Sequence, residues 1–200
     1  MTRANARELA VHLIYGREFT GEEPEQVVAI RLAKEYYDRL SEENDVYAER
    51  PSKGQIAYLD KVVSGVANRI DELNEQIGKF SVGWDVSRIS RLTRAIMQLA
   101  IFEILYVEDV PTGVAISEAV RLAKERITDK PVLAGMIGPY SLAGRLMDVT
   151  EIMYICFDEP ETVHVVLDKA TEYLIRYGQA MKDAGANGIM MAEPLAGILS

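Results

Sequence analysis

Cysteine is almost absent from this chain of 200 residues: Cys156 is the single example, so neither an internal disulfide nor a cysteine-cluster metal site can form. That agrees with a reducing compartment. Histidine is nearly as scarce. His12 and His164 are far apart, no HExxH or HxH spacing occurs, and no metal is expected. No apolar run reaches the roughly 18 uncharged residues of a membrane helix, and the opening Thr2-Arg3-Ala4-Asn5 is unlike the apolar core of a secretion signal. We therefore expect a cytoplasmic protein with no membrane segment. Positive charge is also short, with 22 Lys and Arg against 31 Asp and Glu, a net charge of -9. Wholesale adhesion to nucleic acid needs clustered cations and is excluded, but a local basic patch is not. No glycine-rich loop follows a strand, so no nucleotide cofactor is expected.

What is present changes character near Asp129-Lys130-Pro131. Residues 1–130 hold 18 Lys and Arg against 22 Asp and Glu, and residues 131–200 hold 4 against 9. The shorter segment therefore carries the larger acidic excess. Methionine shifts too, from Met1 and Met97 before the seam to Met136, Met147, Met153, Met181, Met190 and Met191 after it. We read two domains, 1–130 and 131–200.

The first segment has helical periodicity throughout. Leu9, Leu13 and Ile14 share a face of a helix starting at Arg3. A second helix is expected over Glu25–Leu40 and a third over Gln55–Ile77. The third carries a stripe of Leu59, Val62, Val63, Val66, Ile70, Leu73 and Ile77 at steps of three and four. A fourth helix, Val86–Tyr106, has almost no polar face and is expected to be buried on nearly all sides. Within it Glu103 is expected to make an intramolecular bond rather than to act as a catalytic acid, which would need a partner and a pocket. Asp109-Val110-Pro111 breaks that helix, and Val114–Arg126 forms the fifth.

After the seam, Pro131–Ile137 reads as a buried strand, Ser141–Met147 as a short helix, Glu161–Ala184 as a long amphipathic helix and Ala186–Ala192 as a second strand. That is a βαβ unit, the building block of parallel sheets. The expected fold is mainly α with this small appendage.

The first segment resembles the NusB-type transcription antitermination factors. The opening Arg3-Ala4-Asn5-Ala6-Arg7-Glu8-Leu9-Ala10-Val11 through Leu13-Ile14-Tyr15 is similar to the family's Arg-rich start. Tyr58-Leu59-Asp60 and Val63-Ser64-Gly65-Val66 resemble its tyrosine-bearing helix. Arg94–Leu105, then Asp109-Val110-Pro111, then Val114–Lys124 resemble its "RxILRLAxYEL", "DVP" and "VAINEAVELAK" signatures, in order and at the right spacing. The resemblance implies a helical domain of two small subdomains that is not an enzyme. It also implies a role in binding boxA-type RNA with a NusE-type small-subunit ribosomal protein, in an RNA polymerase antitermination complex acting on ribosomal RNA operons. RNA contact is carried over to Arg3, Asn5, Arg7 and Tyr15: cations for phosphates and a planar ring for bases. Arg3 and Arg7 are one turn apart, and Tyr15 lies two turns further on roughly the same side. Departures from the family pattern are Ala4 and Asn5 at positions often basic, Thr93 where glutamate is usual, Ser117 for asparagine, and a last helix of the "FVNGVL" kind that does not follow Lys124.

The second segment resembles an internal piece of the uroporphyrinogen decarboxylase family, especially its corrinoid-dependent methyltransferase branch. The resemblance rests on Pro131–Leu146, Asp158-Glu159-Pro160-Glu161, Tyr177, Ala184–Gly188 and Ala192-Glu193-Pro194. Those proteins are TIM barrels of about 250 residues, so 70 residues supply only a fragment, and the family's His-and-Cys zinc motif has no counterpart. Glu193 stands where a barrel would place a ligand-facing acid. Two rivals to the adaptor reading stay open: a partial decarboxylase or methyltransferase chain, and an RNA-binding module of an RNA methyltransferase. We expect a chimera joined near residue 130. Its one tryptophan, Trp84, would be the natural fluorescence probe.

Overall fold

A computed structural model describes residues 1–42, 44–81 and 85–198; Trp84 lies outside them. The protein is mainly helical, with ten α-helices and one two-stranded sheet among the described residues. The chain divides into two compact units, Met1–Leu122 and Ala123–Ser200.

In the first unit, helix α1 (Arg3–Thr20) starts at Thr2, whose hydroxyl accepts from the Asn5 N–H, and stops at Gly21, where φ is 64°. Left-handed backbone is free of strain only without a Cβ. Leu9, Leu13 and Ile14 are buried as the spacing predicted, and Ala6 and Ala10 join them on the same face. The single helix expected over Glu25–Leu40 is two, α2 (Pro24–Arg31) and α3 (Lys34–Ser41), separated by extended backbone at Ala33. The burial pattern explains the break. Val28 and Tyr37 are both buried, yet nine residues along one continuous helix would put them on opposite faces at about 100° per residue.

The third predicted helix is likewise divided, into α4 (Lys53–Asn68) and α5 (Ile70–Phe80), because Arg69 alone leaves helical geometry at φ -123°, ψ 24°. The apolar stripe survives the bend: Leu59, Val62, Val63, Val66, Leu73 and Ile77 are all buried. Val86–Arg88 is a separate 3-10 turn, and α6 (Arg91–Tyr106) begins after the Ser90 cap. Gly65 of α4 lies against this helix, and a Cβ there would fall 2.0 Å from the Phe102 ring. One expectation for α6 needs correction. Ala95, Ile96, Leu99 and Phe102 are buried, but Ile104 and Leu105 are 36% and 51% exposed, because α1, α4 and α5 pack on one side only. Helix α7 (Thr112–Arg126) follows and buries Ala115 and Leu122.

The second unit opens with β1 (Leu133–Ile137) and continues through α8 (Pro139–Met147), α9 (Val149–Asp158), α10 (Pro160–Asp183) and β2 (Gly188–Ala192). The strands pair in parallel from Leu133 with Gly188 to Ile137 with Ala192. The βαβ arrangement is therefore present, but two strands do not amount to a barrel wall. Helix α9 is an element that the sequence pattern does not announce. Its start depends on Asp148, which holds φ 75° while its carboxylate accepts from the Thr150 and Glu151 N–H groups. A small core of Tyr140, Ala143, Ile152 and Val163 ties α8, α9 and α10 together. Cys156 is half-buried against it, its sulfur 3.5 Å from the Tyr140 hydroxyl. Elsewhere apolar side chains face outward, including Phe157, Tyr154 and Met190.

Candidate nucleic-acid interface

The four residues singled out in the sequence all lie on α1, but the fold gives them different surroundings. The start of the helix is clasped from two sides. Thr2 caps α1, and Ser52 and Gln55 form a reciprocal capping box on α4. The Gln55 amide also donates to the Met1 carbonyl at 2.7 Å, which ties the two helix beginnings together. Arg3 projects from this clasp into solvent. Asn5 is half-buried, and its side-chain oxygen accepts from the Thr2 hydroxyl at 2.8 Å.

Arg7 is not presented to solvent. Only 7% exposed, it donates through Nε to both carboxylate oxygens of Glu103 on α6, at 2.9 and 3.1 Å. The Tyr58 hydroxyl donates to the same carboxylate at 3.0 Å. Glu103 thus makes the intramolecular bond expected of it. Burial, reinforced by the Glu103 charge, pushes the Tyr58 hydroxyl well above the ordinary tyrosine value, so it stays a donor. The three groups satisfy one another in a place where any one alone would be costly. Their geometry fixes α1, α4 and α6 around a common point.

Above this triad lies a groove of about 590 Å³. Helix α1 contributes Arg3, Ala6 and Arg7; α4 contributes Tyr58 and Lys61; the turn after α6 contributes Val107, Asp109 and Val110. Arg3 and Arg7 therefore share a wall, as their one-turn spacing predicted. Tyr15 does not join them. Eight residues beyond Arg7 amount to about 80° of rotation and 12 Å of rise, and Tyr15 instead meets the Phe19 ring edge-on at 5.1 Å. Arg91 lies 4.8 Å over Phe19, and Arg94 pairs with Glu18 at 3.1 Å. Thr93 is taken up in the start of α6, where its N–H and hydroxyl both meet the Ser90 hydroxyl.

Sequence reasoning missed Lys61 altogether; no motif marked it. Tyr58 and Asp109 were visible only as parts of motifs, without a role. In the second unit, Glu193 acts locally, within its own fold. Its carboxylate accepts from the Tyr140 and Ser141 N–H groups at 3.1 and 2.8 Å, and from the Ser141 hydroxyl. It caps α8, where the helix dipole favours an anion. Gly138 makes room for it, since a Cβ there would lie 1.9 Å from the carboxylate. Among the described residues no group of three or more His, Cys, Asp or Glu is placed to hold a metal ion, and no helix is long and apolar enough to cross a membrane.

Comparison with known proteins places these features in context. The NusB family profile matches residues 4–135, and the profile of uroporphyrinogen decarboxylase (URO-D) matches residues 81–200, so the two overlap on 81–135. The chain is similar to the transcription antitermination protein NusB of Natranaerobius thermophilus, with 34% identity over 130 residues, covering 65% of this chain and 86% of that protein. It is 32% identical to the protein of that name from Salinispora tropica over 138 residues, 68% of this chain and 92% of the other. With that of Acetivibrio thermocellus it shares 40% over 124 residues, 62% and 76% of the two chains.

Proposed function

Since the chain belongs to the NusB family through residues 4–135, with a uroporphyrinogen decarboxylase family match over residues 81–200, we propose that it is a transcription antitermination factor and not an enzyme. In this reading it is a cytoplasmic adaptor that binds boxA-type RNA together with a NusE-type ribosomal protein. It then joins the RNA polymerase antitermination complex on ribosomal RNA operons. The observation that carries the RNA-binding part is the solvent-facing Arg3 on the wall of the groove at the start of α1. A chain of net charge -9 can hold RNA only where cations are concentrated locally. Asn5 stands beside Arg3 on the first turn, Arg7 holds the wall in place through Glu103, and Tyr15 with Phe19 offers a second, aromatic contact further along the helix.

Residues 131–200 are an appended segment in this reading, joined near residue 130. Their relation to the decarboxylase family supports the alternative of a partial decarboxylase or corrinoid-methyltransferase chain. Against a catalytic role, Glu193, the acid at the end of β2, already has both oxygens engaged in capping α8.

Titration of the purified chain with boxA RNA and a mutated control RNA, each with and without the NusE-type protein, tests the proposal. Selective binding is expected, strengthened by the partner and weakened several-fold by Arg3→Ala. Equal affinity for both RNAs, indifferent to Arg3 and to the partner, would overturn it.

A further inference from the structure

The groove over the Arg7, Glu103 and Tyr58 triad has a chemistry of its own. Two cations stand on its rim, Arg3 from α1 and Lys61 from α4, both solvent-exposed and neither in an ion pair among the described residues. Its floor is made of Ala6, Val107 and Val110 with the Tyr58 side chain. The Tyr58 hydroxyl and Arg7 Nε below both donate to Glu103, and the terminal N–H groups of the Arg7 guanidinium add positive charge beneath the rim. Asp109 is the remaining charged group of the lining, an exposed carboxylate on the turn that closes the groove. The volume lies within the about 300–1,000 Å³ of sites that hold small ligands.

A cationic rim, a largely apolar floor and one acceptor-only group on the turn after α6 suit a nucleotide: phosphate at the rim, base on the floor, and the base edge toward the carboxylate. A carboxylate accepts two parallel hydrogen bonds and donates none. Among the four RNA bases only guanine offers two adjacent donors on its Watson–Crick edge, N1–H and the N2 amine. Single-stranded RNA exposes that edge for reading. We propose that this groove seats one guanine nucleotide of the bound single-stranded RNA, with Arg3 and Lys61 on its phosphates and Asp109 accepting from N1–H and N2–H. The inference rests on the RNA-binding reading above and adds to it a base preference and two residues, Lys61 and Asp109.

The test uses the full chain and short RNAs of one length that carry G, A, C or U at a single position in an otherwise uniform sequence. Guanine is expected to bind more tightly than the other three by roughly 5- to 150-fold, the span of a good bidentate base contact. Asp109→Asn should abolish that preference while leaving affinity for the other RNAs nearly unchanged. Lys61→Gln should weaken all RNAs alike and lower the dependence of log affinity on log salt by about 0.7, one phosphate contact on a single strand. Both side chains are exposed, so unfolding midpoints should stay at the wild-type value. As a direct reading, guanosine 5′-monophosphate should shift the NMR signals of Ala6, Tyr58 and Val110 more than adenosine 5′-monophosphate does. If RNA binds and Arg3→Ala weakens it, but Asp109→Asn keeps the base preference or none exists, the groove inference falls and the adaptor reading stands. If the wild-type chain binds none of these RNAs, the groove inference falls, and the boxA titration with the NusE-type protein decides the adaptor reading separately.

Discussion

Arg7 and Glu103 are 96 positions apart in the chain and 2.9 Å apart in the fold. At this scale the site is governed by the cost of leaving a buried charge alone. Arg7→Ala would orphan a carboxylate that is 1% exposed and would take one of its partners from the Tyr58 network. It is expected to lower stability by about 3–5 kcal/mol, whereas Arg3→Ala, in open solvent, should stay within about 0.5 kcal/mol. Urea unfolding of the two variants checks the contrast; equal and small losses would show that the triad contributes little. The sequence marked Arg7 as cationic and correctly placed one turn from Arg3. It could not say that the charge is turned inward, because the partner that turns it lies on another helix. Glu103 was legible from the other side: a lone acid in an apolar run must find a bond within the protein.

At the scale of the element, the helices and strands that begin or end on local chemistry were legible. The start of α1 at Arg3 and that of α10 after the turn Asp158-Glu159-Pro160 were read from the sequence, whereas α8 begins at Pro139, two residues before the expected Ser141. The elements misread are those in which tertiary contact overrides an unbroken periodicity. Nothing local at Leu32 or Arg69 forbids a helix, yet the chain bends there so that Tyr37 and the Leu73 and Ile77 pair can reach the core. Helix α9 depends on a residue that local rules disfavour, Asp148 at φ 75°. Its carboxylate compensates by capping two N–H groups. Asp148→Ala, losing the cap while keeping the Cβ in a strained position, should cost about 1–3 kcal/mol. Asp148→Gly should cost clearly less, because it relieves the backbone. Thermal unfolding of both variants decides the matter, and a reversed order would mean that the backbone is not strained there.

At the scale of the whole molecule, the two units differ in how much they bury. The first surrounds Leu9, Leu59, Leu73 and Leu99 with almost no exposure, while the second leaves Leu146, Phe157, Ile175 and Met190 more than half exposed and, among the described residues, pairs two strands. Opening free energy follows buried contact. Amide exchange should therefore be slowest in α1, α4 and α6, and faster by orders of magnitude in β1, β2 and the outer turns of α10. Uniform strong protection from residue 131 onward would refute the view of that segment as a poorly supported fragment.

The sequence by itself determined the helical character of residues 1–130, the βαβ order beyond the seam, the family of the first segment and the position of Arg3 at its start. Periodicity, caps and motifs act within a few residues of one another, so they can be read along a line. Only the tertiary structure decided that Arg7 and Tyr58 converge on Glu103, that Glu193 caps α8, and that Lys61 and Asp109 face one groove. Each of those facts depends on groups from separate elements brought within hydrogen-bond range or onto one surface, and no spacing along the chain encodes that distance.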